Sequence, residues 1–175
     1  YILNSDITET IDFTSQAKSV YNANNPQNDT YFSGTFDGRG HTFKAKVAEQ
    51  GIFGGFYDGT TIKNTKFVLE FSDKTESCGL AGNNGTFNLS GGSVVLSNLN
   101  VETVNYFKNS YALLGYCNFN LEMYDIYVNI NGTESLPDYA SVGVESEMAA
   151  LFHYDLTATM TSNDGKFKGG FRNIF

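Results

Sequence analysis

Apolar residues in this chain come in short strings separated by polar corners, and the strings recur in phase. The tetrapeptide Gly51-Ile52-Phe53-Gly54 returns in weakening form as Gly79-Leu80-Ala81-Gly82, Ala112-Leu113-Leu114-Gly115 and Ala150-Leu151-Phe152-His153. Each copy is followed by a second echo in which an apolar residue stands two positions before Asn or Asp: Ile62-Lys63-Asn64-Thr65-Lys66-Phe67, Leu96-Ser97-Asn98-Leu99-Asn100-Val101, Met123-Tyr124-Asp125-Ile126-Tyr127-Val128 and Phe171-Arg172-Asn173-Ile174-Phe175. The copies return every 28 to 38 residues or so. Self-similarity of about that length marks a solenoid, whose units bury an apolar face by stacking on their neighbours.

Within the second echo Leu96, Leu99 and Val101 read as inward-facing, with Asn98 at a bend where two inward residues are separated by an odd step. The same holds for Ile62, Thr65 and Phe67, and for Met123, Ile126 and Val128. Stacking then predicts one interior column of Phe53, Ala81, Leu114 and Phe152, and a second of Ile62, Leu96, Met123 and Phe171. The corner residues Asn64, Asn98, Asp125 and Asn173 are expected to be structural. Such side chains satisfy backbone groups freed by a bend and tolerate left-handed φ, and stacked amides can hydrogen-bond from one strand to the next.

Helical periodicity is nearly absent. The one short helix the pattern predicts runs from Thr14 to Tyr21, after a cap at Asp12, with Phe13, Ala17 and Val20 on one side. Elsewhere turn clusters such as Asp37-Gly38-Arg39-Gly40, Tyr57-Asp58-Gly59, Asn83-Asn84-Gly85 and Asn163-Asp164-Gly165 punctuate short strands. The chain reads as all-β, a solenoid of about four to five rungs. It forms one segment over 1–175, with the first rung and a cap-like insertion in 1–50 and the repeats in 51–175.

A further set of residues resembles a known family. Phe32-Ser33-Gly34-Thr35-Phe36-Asp37-Gly38-Arg39-Gly40-His41-Thr42-Phe43, followed by Gly51-Ile52-Phe53-Gly54 and Ile62-Lys63-Asn64, closely resembles the GLUG-motif repeats of bacterial surface proteins. Tyr1-Ile2-Leu3-Asn4-Ser5-Asp6-Ile7 is similar to the strand that opens such modules. The match is good over residues 1 to 67 and looser beyond, where Ala112 and Ala150 replace the first glycine and His153 the last. The resemblance implies a right-handed parallel β-helix in a secreted or surface-anchored, adhesin-like protein, where the repeat acts as a spacer or binding stalk.

Composition narrows the function. A net charge of −8 with only eleven Lys and Arg argues against nucleic acid as a partner, because phosphate binding needs clustered cations. No apolar run approaches the roughly 18 residues of a membrane span, so no membrane insertion is expected. The chain does not begin with Met and stops inside a motif copy, so it is expected to be a piece of a longer one with neighbouring domains. Low charge with abundant Asn, Gly, Ser and Thr suits an extracellular or cell-surface β-protein. Asn28, Asn84, Asn88 and Asn131 each open an N-x-[ST] sequon, which an Asn- and Thr-rich chain generates by chance.

Candidate chemistry is sparse. Polysaccharide cleavage takes two carboxyls about 5 to 9.5 Å apart, and the acid pairs Asp73/Glu76 and Glu145/Glu147 fall in polar segments that read as loops between rungs. His41 and His153 lack zinc-ligand spacing, and no nucleophile elbow, phosphate loop, EF-hand or nonapeptide calcium repeat occurs. No cofactor and no metal are expected, and Asp125 is the one corner residue with a catalytic alternative. Cys78 and Cys117 fall at different points of the repeat, so two buried thiols are favoured over a disulfide.

One outer face is richer. Lys63, Ser97, Tyr124 and Arg172 follow the apolar residue of the second echo, and Lys66, Asn100, Tyr127 and Phe175 lie one step past the bend. In register they form two exposed columns, and Lys63, Lys66, Tyr124, Tyr127 and Arg172 are the candidate binding residues for a glycan or host-surface protein. Loops around Asp73 to Ser77 and Thr133 to Ser146 are the alternative contact surface. The function expected is a non-enzymatic extracellular adhesin-like or stalk segment. A virion component, such as a phage tail or capsid-decorating protein, and a polysaccharide-active β-helix enzyme are the alternatives.

Overall fold

The structure is a computed structural model that describes residues 1–15, 31–72, 77–82, 93–106, 110–114, 120–129 and 131. Among these residues regular structure is all strand: β1 Ile7–Asp12, β2 Thr35–Asp37, β3 Thr42–Val47, β4 Thr61–Phe71, β5 Ser93–Val104 and β6 Asn120–Asn129. They form one sheet in the order β1-β3-β4-β5-β6, with β2 also paired to β4, and every pairing is parallel.

The register follows the second echo. Ile62 pairs with Leu96 and Leu96 with Met123, and all three side chains are buried. Burial alternates along β4, with Ile62, Thr65, Phe67, Leu69 and Phe71 inside, and the alternation skips one step at Lys63-Asn64. The same skip falls at Ser97-Asn98 in β5 and at Tyr124-Asp125 in β6. Its cause is a single left-handed residue in each strand: φ is +53° at Asn64, +50° at Asn98 and +52° at Asp125. One residue of opposite hand breaks the two-residue alternation without ending the strand, and Asn and Asp adopt that conformation most readily after Gly.

β2 and β3 are a single strand of this type opened by an insertion. Asp37 pairs with Lys63 and Thr42 with Lys66, so the four residues Gly38–His41 lie against the two residues Asn64 and Thr65. Gly38 runs so close to β4 that a Cβ there would lie 2.2 Å from Thr65 Oγ1. The Thr65 hydroxyl, facing inward, donates to the Lys63 carbonyl at 2.8 Å and so finds its own partner beside the bend, sharing that carbonyl with the Gly38 N–H at 2.9 Å.

The first echo also stacks. Ala81 bridges Leu114, and Cys78 bridges Tyr111, both parallel. The Phe53 N–H donates to Leu80 O at 2.8 Å and the Leu80 N–H to Leu113 O at 2.7 Å. Phe53, Ala81 and Leu114 therefore follow one another as the repeat predicts, while Phe152 and Phe171 lie outside the described residues. The glycine at the head of the first two copies is required by this stacking: a Cβ on Gly79 would sit 2.0 Å from Ala112 O, and one on Gly51 would sit 2.7 Å from the Leu80 carbonyl carbon.

The core lies on the inner side of the sheet. At its N-terminal end Phe36, Phe43 and Phe67 pack as rings about a common centre, with centroids 6.0 to 6.1 Å apart. Leu69, Leu80, Leu96, Leu99, Leu113 and Leu114 fill the middle. Phe71 meets Tyr106 edge-on beyond them, and the Tyr106 hydroxyl donates to the Ser110 carbonyl. The helix expected over Thr14 to Tyr21 falls almost wholly outside the described residues. Its first residue is in a turn, where the Thr14 N–H donates to Asp12 Oδ1 at 2.8 Å. No described helix is long and apolar enough to cross a membrane.

Candidate functional site

The bend residues form the spine of the outer surface. Asn98 Nδ2 donates to Asn64 Oδ1 at 2.9 Å, and Asn64 Nδ2 donates to Asp37 Oδ1 at 3.0 Å. Identical left-handed bends on successive strands bring these side chains into line, so the amides bond one another, strand to strand, and not the backbone of the bend. All donors point one way, toward Asp37. That carboxylate also accepts the Arg39 N–H at 3.0 Å and lies 3.6 Å from Lys63 Nζ. The Arg39 N–H first, then the Asn64 amide, with Lys63 adding less, hold the Asp37 carboxyl below the ordinary aspartate range. Asp37 belongs to its glycine turn, as the sequence implies, and it also terminates the ladder. The second role has no separate signal in the sequence, because it depends on β2 pairing beside β4 with Asp37 across from Lys63. Asn173 lies outside the described residues.

The two outward columns are in register. Lys63 pairs with Ser97 and Ser97 with Tyr124, while Lys66 pairs with Asn100 and Asn100 with Tyr127. Arg172 and Phe175 lie outside the described residues. The cations are not idle: Lys63 meets Asp37, and Lys66 Nζ lies 3.0 Å from Glu102 Oε2. The Tyr124 hydroxyl donates to Glu122 Oε2 at 2.5 Å, and that bond raises the phenol above its ordinary value by favouring the protonated form. Tyr127 is the exposed aromatic of the face, with 42% of its surface accessible.

A shallow groove of about 370 Å³ runs beside the amide ladder, bordered by Asn64, Lys66, Asn98, Asn100 and Tyr127, with Leu99 among the residues at its base. Of the candidate residues it gathers Lys66 and Tyr127. Lys63 and Tyr124 stand in the neighbouring column and do not line it. Asn100 makes the groove richer in amides than the candidate set implied, and its place in the repeat, one step past the bend, is the signal that identifies it.

The other candidates stand apart. His41 Nδ1 lies 3.3 Å from Asp6 Oδ1, and the Thr42 N–H donates to the same oxygen at 2.7 Å, which ties the N-terminal segment to β3. His153, Asp73, Glu76, Glu145, Glu147, Cys117 and the loop Thr133 to Ser146 lie outside the described residues. Cys78 and Ser77 are buried. Among the described residues no three His, Cys, Asp or Glu side chains converge as a metal site. No family model, no curated protein and no solved structure matches this chain.

Proposed function

We propose that the chain coils as a right-handed parallel β-helix and serves as a non-enzymatic, adhesin-like or stalk segment of an extracellular protein, with its outer face available to a glycan or surface protein. The observation that carries this reading is the in-register repetition of outward side chains, Lys63–Ser97–Tyr124 and Lys66–Asn100–Tyr127, over three parallel strands. Parallel pairing between strands consecutive in the chain, together with a second stacked line through Leu80 and Leu113, is what a coil of this kind produces. The GLUG-like residues of the N-terminal half support the extracellular setting.

Such a lattice presents side chains at regular spacing, which suits repeated weak contacts along one partner. Beads coated with the segment are expected to adhere to cells or to surface polysaccharide. The double variant Tyr124→Ala, Tyr127→Ala should fold normally and weaken adhesion at least about tenfold, equivalent to about 1.4 kcal/mol. Polysaccharides incubated with the segment should yield no new reducing ends or unsaturated products. Reproducible product that vanishes in Asp125→Asn, Glu145→Gln or Glu147→Gln would establish an enzyme instead.

A further inference from the structure

Only one of the two outward columns borders the groove, and the bonding state of its side chains says what the groove can hold. The Lys66 charge is answered by Glu102 at 3.0 Å. Asn64 and Asn98 each give one amide hydrogen to the ladder, and the other has no partner among the described residues. The Asn100 carboxamide and the Tyr127 hydroxyl make no hydrogen bond among the described residues, and the Tyr127 ring is exposed. The strip therefore offers paired donors and acceptors beside an aromatic ring, with no uncompensated positive charge.

An anionic ligand would have to draw Lys66 away from Glu102 and approach a chain of net charge −8. An extended peptide is poorly matched as well. Adding a strand needs a free sheet edge, and at this position the backbone of β5 is bonded to β4 on one side and β6 on the other. A hydroxyl both donates and accepts, as a carboxamide does, and the C–H face of a sugar ring packs on a tyrosine. Neighbouring strands repeat at about 4.8 Å, comparable to one ring of an extended glycan. Building on the adhesin-like reading, we infer that this groove binds a neutral oligosaccharide laid across the strands, one ring on Tyr127 and its hydroxyls on Asn98 and Asn100.

Isothermal titration of the intact segment with neutral gluco-, manno- and xylo-hexasaccharides, and with a hexagalacturonate for comparison, tests this. At least one neutral hexasaccharide is expected to bind with an affinity that barely changes with salt, and Asn100→Ala or Tyr127→Ala should each weaken it at least about fivefold while the melting temperature stays put. Lys44→Ala, away from the groove, should bind as the parent does. Failure of all neutral sugars at millimolar concentration, binding of the acidic sugar alone, or neutral binding that survives both variants would overturn the inference. In the bead assay, adhesion that persists in excess neutral hexasaccharide would overturn the inference while leaving the adhesin reading intact. Absence of adhesion would remove the adhesin reading, whereas the titration judges the groove separately.

Discussion

Asn98 lies one strand away from Asn64 with its amide hydrogen on the Asn64 carbonyl oxygen at 2.9 Å, and both residues hold nearly the same left-handed φ, +50° and +53°. The bend and the bond are linked, because the left-handed residue points its short side chain along the stack where the next one can meet it. Asn98 is exposed, so the contribution of the bend exceeds that of the bond.

Asn98→Ala should accordingly cost about 1–3 kcal/mol, combining the poorer tolerance of Ala than of Asn for the left-handed region, at most about 1–2 kcal/mol, with a modest hydrogen-bond term. Asn98→Gly removes the same bond but tolerates the φ, so it should cost less than Asn98→Ala. Urea denaturation of the two variants checks the order; equal costs would place the stabilisation in the bond alone.

At the other end of the ladder Asp125 repeats the bend at φ +52°, yet a carboxylate brings acceptors only. It has no hydrogen to give Asn98 Oδ1. Asp125→Asn supplies one, extends the ladder by a strand, and should stabilise by about 0.5–1 kcal/mol. A lower denaturation midpoint in this variant would show that the stack does not continue into β6.

Gly79 tests the close approach of successive copies. A Cβ there meets the Ala112 carbonyl oxygen at 2.0 Å, a backbone atom that can move only with its strand, and Gly79→Ala should destabilise by about 1–3 kcal/mol. Gly59, at φ +77°, has open space around the position a Cβ would take. Gly59→Ala should cost only the backbone strain, about 1–2 kcal/mol. Comparable tolerance of Ala and larger residues at position 79 would contradict the stacking of the first echo.

Acid should weaken the N-terminal half. Asp6, Asp12 and Asp37 are held below the ordinary aspartate value of 3.8, Asp6 chiefly by the Thr42 N–H, Asp12 by the Thr14 side chain and N–H, and Asp37 by the Arg39 N–H. The unfolded chain then binds more protons than the folded one as pH falls, so this stabilisation is complete above 3.8 and is lost as pH drops through the lowered folded values. Tyr124 works in the opposite direction: its raised phenol stabilises below 10.0 and ceases to do so as pH rises through the folded value. Melting temperature should be flat near neutrality and fall below about pH 4, with a smaller fall in Asp37→Asn. An identical acid profile for the variant would remove Asp37 from the account.

The strands around the second echo are legible because three signals coincide in each copy: an inward apolar residue, Asn or Asp two places on, and another inward residue one place after it. Ile62, Leu96 and Met123 could be aligned from that pattern alone. The opening of the first strand into β2 and β3 was less visible, since Gly38–His41 reads as an ordinary turn and only pairing with β4 shows that two residues have been inserted. Ion pairing was not legible either. Lys66 meets Glu102 through a diagonal across strands, a relation that depends on the register between β4 and β5 and not on spacing along the chain. Tyr127 and Lys66 stand out in the sequence by their chemistry, and their shared groove with Asn64, Asn98 and Asn100 follows from the bend that sets their column beside the ladder.

The parallel, in-register stack is tested most directly by trapping it. Residues 63 and 97 face each other on the outer side of neighbouring strands, at a separation of about 4.8 Å that lies within the Cα range a disulfide tolerates. Lys63→Cys with Ser97→Cys should oxidise to a bond between those two positions, identified in the digest by mass spectrometry, without loss of the folded state. Lys63→Cys with Val95→Cys, slipped by two residues on the same strand, should not. Efficient bonding in the slipped pair and none in the matched pair would contradict the register on which the ladder, the two columns and the groove all depend.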